Sequence, residues 1–257
     1  MEYSKVSAWI ISAALIAGSI VGSTVIASNT LLKAKAQDNN LSVTGSAEQI
    51  VRSDTAKWTC TVTRSVETAK LNEAGSLIKS DMASLTKLFT DRGITATDMT
   101  VNPMTVSVVC ESQENTNYDY SGSKSCAGNK TTGYLLTQTV TVQSSDVDKL
   151  TKLAQETPEQ ILAKNIVFTS TPIEYYYNQL ADLRITMLAK ATENAKARAQ
   201  QIAVSSGAKL GAIQSASMGV FQVTSKNSAD VSDYGAYDTT SIEKKITAIV
   251  RSSFQME

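Results

Sequence analysis

The side chains in this sequence best suited to chemistry are its three cysteines. Cys110 and Cys126 bracket a polar stretch, Glu111 to Thr132, rich in Ser, Asn, Gly and Lys. A disulfide between them closes a loop of about fifteen residues and contributes roughly 3 kcal/mol in the chain-entropy model. Such bonds persist in oxidising compartments, so this pairing goes with export. Two unrelated thiols, or a bond between Cys60 and Cys110, are the other arrangements. Cys60 alternates with Trp58 and Val62 on one strand face. That position reads as a small buried hydrophobe, because a reactive thiol needs exposure and a nearby cation.

The rest of the inventory restricts catalysis. The chain has no histidine. Ser-His-Asp and Cys-His mechanisms are therefore excluded, along with most zinc and non-haem iron sites. The prominent carboxylates are Asp91, Asp98, Asp146, Asp148, Glu156 and Glu159. Asp146 and Asp148 flank a helix start, where a negative charge favours the positive end of the helix, so capping explains them better than acid-base work. No Gly-rich phosphate loop, CxxC, HExxH or GxSxG is present. The expectation is a protein that is not an enzyme and uses no cofactor and no metal. A mechanism built on carboxylates or lysine alone is the third-ranked reading. Lys plus Arg and Asp plus Glu both total 24. The basic excess of a nucleic-acid binder is missing, so no nucleic-acid partner is expected.

Elements must position these residues, and periodicity predicts them. Leu41, Val43, Gly45 and Ala47 alternate with polar residues, and Trp58, Cys60 and Val62 do the same after a turn at Ser53-Asp54. Period two means strand, and the short turn predicts a hairpin. Glu67 to Arg92 reads as a helix with Ala74, Ile78, Met82, Leu85 and Phe89 on one face and Gly93 as its cap. A single strand is expected over Met99 to Cys110, the long loop follows, and a strand returns over Tyr134 to Gln143. A short helix is expected over Asp146 to Gln155 and a strand over Gln160 to Thr169. A long helix follows over Ile173 to Ser206, with Leu180, Leu183, Met187, Ala191, Ala195, Ala199 and Ile202 as its inner stripe. Lys209 to Val223 is expected to be strand, Lys226 to Thr239 a polar loop, and Ile242 to Phe254 strand. Helices separated by pairs of strands imply an α+β fold, with helices packed against mixed or antiparallel sheet.

Ahead of this lies a run without charge, Val6 to Leu32. It is long enough for a membrane-spanning helix, which needs roughly 20 largely apolar residues. A cleaved signal peptide is the rival, with small-x-small sites at Val25-Ile26-Ala27 and Ala34-Lys35-Ala36. The expected organisation is residues 1–32 as the anchor, 33–40 as a polar tether and 41–257 as the folded domain. Ala14, Gly18 and Gly22 stand four apart, so one helix face carries small residues where two helices pack closely. Tyr175, Tyr176 and Tyr177 are candidates for a subunit contact, since tyrosine joins an apolar body to a polar tip.

Several of these segments resemble the SIMPL family of bacterial envelope proteins. Val43-Thr44-Gly45-Ser46-Ala47 followed by Asp54 resembles the family's opening. Gly133-Tyr134 matches its central Gly-Tyr, and Asp146 to Leu150 matches the short helix after it. Ala195-Lys196-Ala197-Arg198-Ala199-Gln200-Gln201-Ile202-Ala203 matches its long Ala/Arg/Lys-rich helix, with Gly207 and Gly211 beyond. The resemblance spans about Leu41 to Phe254. It implies an extracytoplasmic protein linked with stress tolerance, with some members forming ring-like homo-oligomers. Charge leans weakly the other way, because Lys33 and Lys35 follow the span and only Lys5 precedes it. The cysteines and the resemblance favour a bacterial inner-membrane anchor with the main domain in the periplasm. The expected function is a non-catalytic, self-assembling scaffold. The alternative is a binding module that grips a partner protein or envelope ligand through the loops Glu111–Thr132 and Lys226–Thr239.

Overall fold

The computed structural model describes residues 17–30, 40–111, 116–118, 124–126, 130–228, 232 and 234–257. Residues 17–30 are helical (α1) and exposed. Among the described residues no helix is long and apolar enough to cross a membrane. Residues 6–16 of the expected span, which include Ala14, and residues 31–32 lie outside the described residues. Gly18 and Gly22 fall on α1, with nothing within 4 Å of a Cβ built on either.

The rest of the chain is α+β, with antiparallel sheets and packed helices. It divides into two compact units. The first takes 1–48, 184–221 and 247–257, and the second takes 49–183 and 222–246.

The second unit is built on β2 (Thr55–Glu67) and β7 (Thr131–Ser144), paired antiparallel over nearly their full length from Ala56↔Ser144 to Glu67↔Gly133. β8 (Val167–Ser170) and β9 (Glu174–Tyr176) pair with the other edge of β2. β3 (Met99–Val101) and β4 (Thr105–Cys110) pair with the other edge of β7. Every second residue of β2 turns inward, so Ala56, Trp58, Cys60, Val62 and Val66 are buried with Leu136, Val140 and Val142 of β7. Helix α2 (Leu71–Asp91) and helix α3 (Val147–Leu162) bury Ile78, Leu85, Phe89, Leu150 and Ile161 in the same core. Trp58 anchors that core, its ring 5.7 Å from Phe89 and 6.1 Å from Phe168. Gly93 ends α2 at φ 81°, a left-handed conformation that favours glycine.

In the first unit the sheet runs β1 (Asn40–Arg52), β12 (Glu243–Met256), β10 (Leu210–Met218). β11 (Gln222–Ser225), which belongs to the second unit, pairs with β12 as well. Helix α4 (Leu180–Ser206) lies against this sheet through Met187, Ala191, Ala195, Ala199 and Ala203, all buried and four apart. After Met187 the stripe is all alanine, because the backbones of helix and strand meet at Ala191 and Ala195. A Cβ on Gly45 would clash with the Ala191 carbonyl oxygen and the Ala195 amide, and would lie 2.7 Å from the Ala195 Cβ.

Several expectations change. β1 and β2 do not form a hairpin but enter different sheets. At the bend, Ser53 N–H donates to Ile242 and Asp54 N–H to Tyr176, so long-range partners take the chain where a turn would have paired it locally. The strand over Met99 to Cys110 breaks at Asn102-Pro103-Met104, since proline cannot donate to a ladder. The polar loop carries a small pair of its own, β5 (Thr116–Tyr118) and β6 (Lys124–Cys126). α3 runs on through Pro158 to Leu162, where a strand was expected from Gln160. Buried Thr157 and Ile161 hold this extension, and the Thr157 hydroxyl donates to Leu153 at 2.7 Å. Residues 174–176 are strand, and the long helix starts only at Leu180. Ala203 takes the inner position expected of Ile202, which is exposed, because the stripe keeps strict four-residue spacing.

Candidate functional site

The disulfide joins Cys110 at the end of β4 to Cys126 at the end of β6, with Cα atoms 5.5 Å apart. It pins the β5–β6 pair to the edge of the six-stranded sheet. Cys60 is free and fully buried, and burial pushes its thiol well above the ordinary range. It is a core residue without nucleophilic character. Reducing the disulfide, or replacing Cys110 by Ser, is expected to cost about 3 kcal/mol of stability. Urea unfolding with and without reductant measures this, and Cys110→Ser should abolish the difference.

Five of the six prominent carboxylates are engaged in caps or ion pairs, and Glu159 is exposed. Asp146 caps α3 by accepting from the Lys149 N–H at 3.0 Å, and Asp98 closes a capping box with Thr95. Asp148 pairs with Arg52, Asp91 with Lys87, and Glu156 with Arg92. Asp54 accepts from the Asn178 N–H with both oxygens, at 3.1 and 3.0 Å, and so ties down the approach to α4. Among the described residues, no group of three or more His, Cys, Asp or Glu is placed to hold a metal ion.

The tyrosine triplet is split by its strand. Tyr175 is buried, and its hydroxyl meets that of Thr151 at 3.1 Å. Tyr176 donates to Glu174 at 3.0 Å. Hydrogen bonds from Lys57 and Tyr176 hold the Glu174 carboxyl below its ordinary value. Tyr177 is half-buried. A contact role for Tyr175 would need the core to open.

Two polar clusters escaped the sequence reading. The first surrounds Lys244, which is fully buried. Its ammonium donates to the Asp238 and Ser241 carbonyls and lies 3.6 Å from the Asp238 carboxylate. Burial lowers the Lys244 pKa, and the charge of Asp238 opposes that shift. Asp238 also accepts from Ser241 and from the Thr240 hydroxyl and N–H. Burial alone would raise its pKa, but these hydrogen bonds and Lys244 bring it down to about 2. The cluster is a knot that fastens the loop before β12. Its pH dependence has a definite sign. A depressed carboxyl stabilises the fold above its unfolded pKa of about 4, and that contribution is lost as pH falls through the folded value of about 2. We expect acid titration of stability to show a loss of roughly 2 kcal/mol across this window, absent in Asp238→Asn. Identical acid profiles for the two proteins would refute it.

The second cluster is the outer face of the six-stranded sheet. Thr59, Thr61 and Thr63 of β2 stand opposite Thr141, Thr139 and Thr137 of β7. The face leads to an open cleft of about 470 Å³ lined by Thr55, Asp98, Thr100, Thr141, Gln143 and Ser144. Its chemistry is hydroxyl and amide, with a single carboxylate that is already engaged in a cap.

These features describe an α+β chain in which several charged residues serve caps, clamps and a core knot. The chain belongs to the SIMPL family, described as a protein of unknown function (DUF541), which matches residues 41–254. No curated protein matches the chain significantly.

Proposed function

We propose that the chain is a non-catalytic, membrane-anchored envelope protein that assembles with copies of itself and serves a scaffolding role in stress tolerance. The observation that carries this reading is a set of exposed apolar side chains in the first unit. Ile185, Ile202 and Val204 on α4 are exposed, as are Ile213, Met218 and Val220 on and beside β10. A contiguous exposed apolar patch marks an interaction surface, and these residues of α4 and β10 are the material for one. The Cys110–Cys126 disulfide supports an oxidising compartment. The uncharged run ahead of the folded part supports a retained anchor.

The reading is tested in cells. The full chain should sediment with membranes, resist high-salt and alkaline washing, and yield to added protease only once the outer membrane is permeabilised. Lysine-reactive cross-linking of intact cells should give multiples of the chain mass. A freely soluble cytoplasmic protein that stays uncross-linked would overturn it.

A second reading has its own support. The disulfide and the β5–β6 pair give the loop between β4 and β7 a framework independent of any partner, as a binding loop requires. Removing residues 112–125 should then abolish partner capture while the folded part retains its unfolding transition.

A further inference from the structure

We propose that the Cys110–Cys126 bond is a thiol–disulfide switch. Thiols attack it at Cys110, Cys126 leaves, and the β5–β6 pair is released from the six-stranded sheet while the core of the second unit stays folded. The inference goes beyond both readings above and needs neither of them.

Disulfides that solvent reaches are the labile kind, and those shielded in a core are the structural kind. Cys110 and Cys126 are both half-buried, and neither belongs to the core around Trp58. Cys110 ends β4, where the ladder with β7 slips between Val109 and Cys110. Cys126 ends β6, which among the described residues pairs with β5 alone. A two-stranded pair of three residues each is too small to hold by itself. The bond fastens that pair to a sheet whose own order comes from the long β2–β7 ladder. Opening the bond therefore frees the pair and spares the ladder. Cys60, the one remaining cysteine, is fully buried and takes no part in the exchange.

The two sulfurs are not equivalent. The Thr131 hydroxyl donates to Cys126 Sγ at 3.6 Å. A donor on that sulfur stabilises its thiolate, and exchange is faster when the departing thiolate is the more stable one. Cys110 is followed directly by exposed Glu111, whose negative charge disfavours a thiolate at Cys110. Cys126 is thus the leaving group, and Cys110 is the sulfur attacked. In the first step a thiolate of a dithiol reductant bonds to Cys110 Sγ. The Cys110–Cys126 bond breaks, and its electron pair departs on Cys126, which takes up a proton from water. In the second step the other thiol of the reductant attacks the mixed disulfide, frees Cys110 as a thiol and closes the reductant's own disulfide. Two electrons pass from reductant to protein.

The test uses the full-length chain in mild detergent without denaturant. Glutathione serves as the monothiol probe, iodoacetamide traps the thiol released, and peptide mass spectrometry locates both. Glutathione should be found chiefly on Cys110 and the alkyl group on Cys126. Thr131→Val removes the donor and should shift glutathione towards Cys126. Hydrogen exchange after reduction with dithiothreitol then reads the release. Amides of residues 116–118 and 124–126 should lose protection, and those of β2 and β7 should keep it. A bond that stays closed until urea unfolds the chain overturns the switch, as does a reduced chain whose β5–β6 amides stay protected. Loss of protection in β2 and β7 as well makes the bond a structural clamp and overturns the switch too. Glutathione on Cys126, or a Thr131→Val distribution equal to the parent's, overturns the leaving-group assignment.

Discussion

Gly45→Ala is expected to destabilise the first unit by about 3 kcal/mol or more, beyond ordinary overpacking. The added Cβ would meet the Ala191 carbonyl oxygen and the Ala195 amide, which are backbone atoms of a helix and cannot rotate away. The helix has to lift off β1, and the whole Ala191–Ala195–Ala199–Ala203 stripe lifts with it. Close approach of strand and helix is therefore the physical content of the Val-x-Gly segment that opens the folded part. Gly75→Ala is the matched control. Gly75 sits within α2 and a Cβ there meets nothing within 4 Å, so the change should stabilise by about 0.5–1 kcal/mol through helix propensity. Chemical unfolding of the two variants against the parent measures both. Equal small effects would contradict the backbone contact at Gly45.

Asp81→Ala is expected to cost about 3 kcal/mol, and the loss should be largely recovered when Arg64 is replaced as well. Asp81 lies on the buried face of α2, and Arg64 on the inward face of β2 between Val62 and Val66. The guanidinium grips the carboxylate with two bonds, Nε to Oδ2 at 2.7 Å and Nη2 to Oδ1 at 2.5 Å. Removing one partner leaves a largely desolvated charge behind, and that penalty exceeds the net contribution of the pair. A double-mutant cycle with Asp81→Leu and Arg64→Leu isolates the coupling. If the double variant loses as much as the two single variants added together, the residues are not coupled and the argument fails.

Arg64 also shows what was legible in the sequence. Period two through Trp58, Cys60 and Val62 puts Arg64 on the inner face, and the helical stripe through Ile78 and Met82 puts Asp81 beside it. The opposite charges at two inward positions were available as a signal. Glycine chemistry was readable as well. Gly93 and Gly207 end their helices at φ 81° and 76° because those positions favour a residue without a Cβ. The cysteines bracketing the polar loop are joined as their spacing suggested.

Partnership was not readable. Alternation along β1 and β2 says which side chains turn inward but not which strand lies alongside, and the partners here are distant in sequence. The tyrosine triplet shows the same limit. Its strand is imposed by pairing with β2, from Thr55↔Tyr176 to Lys57↔Glu174, and local propensity does not announce that. Lys244 shows another limit. Lysine is almost never fully buried, and the three oxygens that make its burial tolerable lie up to six residues away in a polar loop.

The most direct test of the account is the native mass of the full chain in mild detergent, measured beside a chain that begins at Leu41. A discrete multiple of 27.5 kDa is expected for the full chain, with assembly retained from Leu41 onward because the exposed apolar residues of α4 and β10 lie in the folded part. A single-chain mass for both proteins across the accessible concentration range would contradict it.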